Sequence, residues 1–188
     1  MKDSEILELY HSGNKREKAF EMLVQKYQQK IYWHIRRIVI DHESANDVMQ
    51  NTFIKIWNAL ENFRADSQLY TWIYRIATNE SLNHLNKEKR HTHISFEGSD
   101  NDDEENNYSP SNYVKAETPL EDGEKLQQKL KAAIEALPEK QRIVFTMRYY
   151  EEMPYEQMSE ILETSVGALK ASYFHAAQKV EKFLLTNI

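Results

Sequence analysis

The sequence lacks cysteine and contains little glycine or proline. The absence of cysteine among 188 residues excludes disulfides, thiolate zinc sites and cysteine nucleophiles. Glycine and proline occur only 4 times each, and no proline precedes Pro110. A β-sandwich, a barrel or a doubly wound sheet needs many more turn residues than this. The composition therefore predicts an all-α chain.

Long apolar runs are also absent from the sequence. No run approaches the roughly 18 residues that a membrane-spanning helix requires. The first residues, Met1 to Glu5, lack the apolar core of a secretory signal. We therefore expect a cytoplasmic protein without membrane insertion, and the length suggests one or two domains.

The acidic residues are concentrated in one segment. Residues 91–123 carry a net charge of −8, whereas the whole chain carries −6. This segment is rich in Asp, Glu, Asn and Ser, and it has too few apolar groups to offset the entropy of ordering it. It predicts a flexible acidic linker over 91–123, between an N-terminal domain (1–90) and a C-terminal domain (124–188).

Apolar periodicity predicts helices in both domains. In the N-terminal domain we expect a short helix, a long helix through Ile38, a third from Ala45 to Leu60, and a last one ending near Arg90. In the C-terminal domain we expect four helical segments. Pro138 and Pro154 suit the first positions of the second and third segments, and Ser165 can cap the fourth.

The last two helices of the chain are separated by only Glu163-Thr164-Ser165. Two helices joined by so short a turn are typical of a helix-turn-helix, whose second helix enters the major groove. The face opposite the apolar side of that helix carries Lys170, Ala171, Phe174, His175, Gln178 and Lys182. An ordinary helical hairpin with a solvated face fits the same pattern.

Aromatic and basic residues alternate between Phe63 and Arg90, among them Arg64, Tyr70 and Trp72. Aromatic rings can stack on unpaired bases while Arg and Lys hold the backbone, so the segment suits single-stranded nucleic acid. The alternative is that Trp72 belongs to the core and that the charges are only solvated.

Two further features bear on function. The polar stripe of Asp47, Gln50 and Asn51, with Ile54, has helical spacing and either docks another helix or is solvated. The histidine pair His91 and His93 lacks the spacing of a helical metal site, so we expect no metal, no cofactor and no catalysis. A helix-turn-helix repressor or activator, and an all-helical hydrolase that uses these histidines, are the rival hypotheses.

Several segments together resemble one family. DVMQNTFIKIW (47–57) resembles the D-x-x-Q-x-x-F-x-x-x-W helix of bacterial sigma factors of the extracytoplasmic-function group. FRADS (63–67) and YTWIYRIATN (70–79) resemble the promoter-melting segment of that family, and LPEKQR (137–142) and SVGALKAS (165–172) resemble its C-terminal domain. The segments occur in the family's order and cover most of the chain.

The resemblance implies a non-catalytic subunit that directs RNA polymerase to promoters and helps to open them. Its expected partners are the polymerase core, through the β′ coiled coil and the β flap, promoter DNA, and an anti-sigma factor. The residues implied to bind the polymerase core are Asp47, Gln50, Asn51 and Ile54. Those implied to bind the minus-ten element are Arg64, Asp66, Ser67, Tyr70, Trp72, Arg75, Asn79, Asn83, Lys87 and Arg90. Those implied to bind the minus-thirty-five element are Ser165, Lys170, Ala171, Ser172, Phe174 and His175.

The chain departs from the family pattern at three positions. Ser172 and His175 stand where the family often has arginines, and Glu163 stands where a glycine is common. With fewer cations in the last helix, we expect weaker phosphate affinity and a different promoter preference.

Overall fold

The computed structural model describes residues 2–94 and 122–186, and within them all the regular structure is helical. The first stretch contains α1 (Asp3–His11), α2 (Arg16–Val39), α3 (His42–Ala59), a 3-10 turn (Leu60–Asn62) and α4 (Leu69–Ile94). The second contains α5 (Asp122–Glu135), α6 (Glu139–Tyr149), α7 (Tyr155–Leu162) and α8 (Val166–Thr186). The prediction of an all-α chain is confirmed.

The helix ends differ slightly from the prediction. Helix α4 continues to Ile94 and α5 begins at Asp122, so both ends of the predicted linker are helical, and its remainder lies outside the described residues. Pro138 and Pro154 lie one residue before their helices. Their carbonyls accept the first helical hydrogen bonds, from the Arg142 amide at 2.9 Å and the Met158 amide at 3.0 Å. The prolines therefore serve as N-caps.

The described residues fall into two compact units, each with its own core. In the first unit, α2, α3 and α4 pack on one another. The largest fully buried side chains of these helices and the 3-10 turn are Leu23, Ile31, Ile35, Ile38, Ile56, Leu60 and Ile73. This packing commits one side of α3 and one side of α4 to the interior, so that their other sides face solvent.

Asp3 of α1 forms a hydrogen bond and an ion pair with residues of α2. The Tyr27 hydroxyl donates to the Asp3 carboxylate at 2.8 Å, and Lys26 forms an ion pair with it at 2.7 Å. Burial raises the pKa of the Tyr27 phenol, and the hydrogen bond to Asp3 raises it further. Tyr27 therefore remains a protonated donor throughout the physiological pH range.

The second unit is built around α6, whose residues 142–147 are all buried. Phe145 stacks on Tyr173 of α8, with ring centroids 5.5 Å apart. The core cluster consists of Ala133, Ile134, Leu137, Phe145, Ala176 and Val180. The members from α8 fix which face of that helix is turned inward.

The turn between α7 and α8 holds Glu163 in a left-handed conformation, with φ +51°. A residue with a Cβ is strained there, by roughly 1–2 kcal/mol, whereas glycine is not. We therefore expect Glu163→Gly to stabilise the C-terminal unit by about 1 kcal/mol and to raise its melting temperature by about 4–8 °C. Thermal unfolding followed by circular dichroism measures the change. Glu163→Ala removes the charge but keeps the Cβ, so an equal gain in that control would contradict the strain argument.

Candidate functional site

The polar stripe of α3 lies on the solvent side of the helix. Asp47, Gln50 and Asn51 are exposed, and Ile54 is 52% exposed although it is apolar. The buried residues of α3 are on the opposite side: Ala45, Val48, Thr52 and Ile56. The stripe therefore contributes nothing to the core and is available to a partner.

Two features outside the stripe hold α3 in place. At its start, the Asp41 carboxylate accepts a hydrogen bond from the Ser44 amide at 2.7 Å. This bond lowers the pKa of Asp41 and caps the helix. Near its end, Trp57 packs against Phe20 of α2, with centroids 4.9 Å apart. The helix is thus positioned by groups that a substitution in the stripe leaves intact.

The loop before α4 and the first turn of α4 present partly exposed aromatic rings. Phe63 lies against Trp72 with centroids 5.0 Å apart, and Tyr70 lies against Tyr74 at 4.2 Å. Trp72 and Tyr70 are both half-buried, so each is supported by protein and retains accessible surface. Trp72 is therefore neither a fully buried core residue nor a freely exposed one. Within the loop itself, Arg64 and Asp66 are exposed and Ser67 is half-buried.

Helix α4 carries a polar face along most of its length. Arg75 is half-buried, and its Nε is buried without a hydrogen-bond partner in the described part of the chain. The residues that follow on the same side are all exposed: Asn79, Asn83, Lys87 and Arg90. Their spacing of three or four residues keeps them on one side of the helix over about 22 Å. We call this set, from Arg75 to Arg90, the α4 face.

Sequence reasoning missed an ion pair beside the α4 face. Lys55 of α3 binds the Glu80 carboxylate of α4, and the Asn83 amide lies 3.5 Å from the same carboxylate. Glu80 is the only carboxylate in the sequence between Asp66 and Glu88, and Lys55 offsets its charge beside the face. The pair joins residues that are 25 apart in the sequence, so no local pattern reveals it.

The final helix of the second unit is oriented as the helix-turn-helix prediction requires. Ser165 caps α8, its hydroxyl accepting from the Ala168 amide at 3.3 Å. Leu169, Ala176 and Val180 are buried. The opposite face is exposed and carries Lys170, Ala171, Phe174 and His175, with Ser172 half-buried at its edge. Phe174 is 57% exposed, so an aromatic ring is offered to a partner and not to the core.

The remaining predictions concern metals and membranes. The side chains of His91 and His93 lie outside the described residues. Among the described side chains, those of residues 2–90 and 123–186, there is no group of three or more His, Asp or Glu suited to holding a metal ion. Among the described helices, none is both long and apolar enough to cross a membrane.

The chain is similar to known families and to solved structures. Residues 23–91 match the family described as Sigma-70 region 2, and residues 127–180 match Sigma-70, region 4. The fold is similar to that of CnrH, solved in complex with the cytosolic domain of CnrY, with a TM-score of 0.68, 19% identity and 99% of each chain covered. It is also similar to the sigma factor RpoE of Bartonella quintana, solved with the anti-sigma factor NepR, with a TM-score of 0.68 and 20% identity over 91% of this chain and 99% of that one.

Curated relatives match over almost the whole chain. RNA polymerase sigma-H factor of Pseudomonas aeruginosa is 35% identical over 186 residues, which are 97% of this chain and 93% of the relative. ECF RNA polymerase sigma-E factor of Escherichia coli K12 is 33% identical over 95% of this chain and 92% of the relative. The chain therefore belongs to the extracytoplasmic-function group of sigma factors, which bind RNA polymerase and direct promoter-specific initiation of transcription.

Proposed function

We propose that the two domains divide promoter recognition between them. Residues 1–90 bind the polymerase core and the minus-ten element, residues 124–188 bind the minus-thirty-five element, and 91–123 link them. The observation that supports this division is that most of the assigned side chains lie on the outward faces of α3, α4 and α8, and that the others lie in the loop before α4 or at the start of α8. The protein itself catalyses no reaction, and it acts in the cytoplasm, where its polymerase works.

The exposed stripe of α3 is the proposed contact to the β′ coiled coil. Asp47, Gln50 and Asn51 supply a carboxylate and two amides, which accept and donate hydrogen bonds at a helix surface. The 52% exposed Ile54 adds apolar area at the C-terminal end of the stripe. Protein interfaces usually combine apolar contact area with hydrogen-bonding polar groups. The β flap is the second proposed contact to the core.

The loop before α4, which contains Arg64 and Ser67, and the α4 face are the proposed binding surface for the minus-ten element. Opening a promoter exposes bases that can leave the stack, at a cost of a few kcal/mol per flipped base. The partly exposed Tyr70 and Trp72 can stack on such bases. Arg64 and Ser67 lie in the loop just before them, and the polar and basic residues of the α4 face follow the strand.

Capture of unpaired bases predicts a specific kinetic defect. We expect Tyr70→Ala to slow promoter opening by about tenfold, because one stacking contact is worth about 1–3 kcal/mol. Arg64→Ala should also slow it, because it removes a cation that holds the backbone of the unpaired strand. Initiation from a template that is already melted should be slowed less, since no opening step remains. Permanganate reactivity of unpaired thymines, followed over time, measures opening. Tyr70→Phe keeps the ring against Tyr74 and should open the promoter almost normally. Equal losses on both templates would contradict the proposal.

An anti-sigma factor is a further proposed partner. The similar structures of CnrH and of the Bartonella quintana RpoE were solved with the cytosolic domain of CnrY and with the anti-sigma factor NepR, respectively. This chain has a similar helical fold. We propose that an inhibitory protein binds it and competes with the polymerase core.

The decisive test of the whole proposal is run-off transcription with purified core polymerase. Adding this protein should produce transcripts that start at defined promoters, and core polymerase alone should produce none from the same templates. Replacing a promoter's minus-thirty-five element with scrambled sequence should reduce the signal. If the protein binds these promoters yet fails to direct initiation by the core, it is a helix-turn-helix repressor or activator and the proposal is wrong.

A further inference from the structure

One face of α2 combines an exposed aromatic ring with an exposed lysine and a half-buried arginine. Lys30, Trp33 and Arg37 follow one another at intervals of three and four residues, so they lie on one side of the helix within about 10 Å. Trp33 is 48% exposed, although tryptophan is highly buried on average. We call these three residues the α2 stripe. Neither the core nor the surfaces described above account for its exposed ring.

Trp33 is held in place by two neighbours. Its ring meets the ring of Tyr32 edge to face, with centroids 5.3 Å apart. The Tyr32 hydroxyl lies 2.7 Å from Nδ1 of His42 at the start of α3. The Arg37 guanidinium also lies over the Trp33 ring, 5.8 Å from its centroid. A ring fixed in this way loses little entropy when a ligand stacks on it, which favours binding.

The α2 stripe lies beside the α4 face. His34, the residue after Trp33, packs its ring on Tyr74 of α4 with centroids 4.7 Å apart. Its Nε2 lies 2.9 Å from the Thr78 hydroxyl oxygen, one turn further along α4. Tyr74 and Thr78 directly precede residues of the α4 face. Only the side chains that form this contact between α2 and α4 therefore lie between the stripe and that face.

The stripe and the α4 face also point to the same side of the unit. Tyr27 lies near Tyr70, and His34 contacts Thr78, so α2 and α4 run in the same direction. Helix α3 packs against other sides of both helices, as the Tyr32–His42 and Lys55–Glu80 contacts show. With α3 on one side of this helix pair, the stripe and the α4 face together form one surface on the other side.

The chemistry of the stripe selects its ligand. Lysine and arginine attract phosphates, and an exposed indole ring stacks on bases that have left the double helix. Bases inside a duplex are already stacked on both faces and cannot bind in this way. We infer that the α2 stripe binds the unpaired promoter strand where it continues beyond the α4 face. This inference rests on the proposed role in promoter opening.

The test uses the holoenzyme, reconstituted from core polymerase and this protein, on two templates. One is a promoter with a single-stranded non-template segment, and the other is fully duplex. We expect Trp33→Ala to weaken binding to the first template by about tenfold, as the loss of one stack implies, and to leave initial binding to the second unchanged. Trp33→Phe keeps an aromatic face and should retain most of the affinity.

The cations are tested by salt dependence. Lys30→Ala and Arg37→Ala should each reduce the slope of log affinity against log salt by about 0.7 on the single-stranded segment, if each contacts one phosphate. Lys18→Ala is the matched control, because Lys18 is an exposed lysine on the same helix outside the stripe. Its slope should equal that of the parent, and a loss equal to that of Lys30→Ala would overturn the assignment.

The remaining outcomes distinguish failure of this inference from failure of the proposed role in promoter opening. If Trp33→Ala weakens binding to core polymerase but not to the melted template, the stripe contacts protein and the inference is wrong. If the variant changes neither, the stripe is a solvated face and the inference is also wrong. Tyr70→Ala, assayed in parallel, shows whether promoter opening itself depends on the first unit. If that variant opens promoters at the parent's rate, the proposed opening role fails, whatever Trp33→Ala does.

Discussion

Asp47→Arg is expected to weaken binding to core RNA polymerase by about a hundredfold. The substitution removes a hydrogen-bond acceptor from the N-terminal end of the α3 stripe and places a long cation where the partner meets a carboxylate. A charge mismatch at an interface costs several kcal/mol, and each 1.4 kcal/mol is a factor of ten in affinity. Titration of labelled protein with purified core polymerase measures the loss.

The fold should survive this substitution. Asp47 is exposed, and the helix is held by the Asp41 cap and by the contact of Trp57 with Phe20. The helical signal and the melting temperature of the variant should therefore match those of the parent. Glu8→Arg makes the same kind of charge reversal at an exposed position on α1, and it should bind core normally. A variant of Asp47 that melts early would show that the stripe is structural.

The orientation of the helices was predictable because it depends on local periodicity. Leu169, Ala176 and Val180 recur at intervals that place them on one side of α8, and burying that side leaves Lys170 and His175 outside. The same argument places Asp47 on the exposed side of α3. Position along a helix and exposure follow from the spacing of apolar residues alone, so these predictions needed no knowledge of tertiary contacts.

The contacts between helices were not predictable in this way. His34 meets Thr78 across 44 residues, and Lys55 meets Glu80 across 25. Such pairs depend on how two helices cross, which periodicity does not determine. No prediction was made for Trp33. Its position is off the apolar side of α2 that contains Ile31, Ile35 and Ile38, and only the structure shows which side chains its 48% exposed ring contacts.

Backbone strain was visible in the sequence only through the family pattern. Glu163 occupies a position where glycine is common, and its φ of +51° gives the reason, since this conformation favours a residue without a Cβ. Ile40 has φ +68° in the turn between α2 and α3, and no composition signal marked it. Its strain is set by the short connection, in which the Asp41 amide donates to the Val39 carbonyl at 2.8 Å.

The second large effect is expected at the exposed face of α8. If this helix enters the major groove, contacts to base edges must come from the side opposite Leu169 and Val180. Lys170 can donate to guanine acceptors, and His175, just over one turn further on, can donate to a base or to a phosphate. Loss of a base contact costs about 1–3 kcal/mol. We therefore expect Lys170→Ala and His175→Ala each to weaken binding to a matched minus-thirty-five duplex by about 5-fold to more than 100-fold.

Base and phosphate contacts are distinguished by comparing matched and scrambled duplexes over a range of salt concentrations. Loss of a base contact reduces affinity for the matched duplex only, whereas loss of a phosphate contact weakens both and lowers the salt slope by about one. Lys182→Ala is the matched control, because Lys182 is an exposed lysine about 18 Å further along α8, too far to reach the groove floor. If Lys170→Ala and His175→Ala bind both duplexes as the parent does, α8 is not the helix that contacts the promoter, and specificity at the minus-thirty-five element must come from elsewhere in the chain.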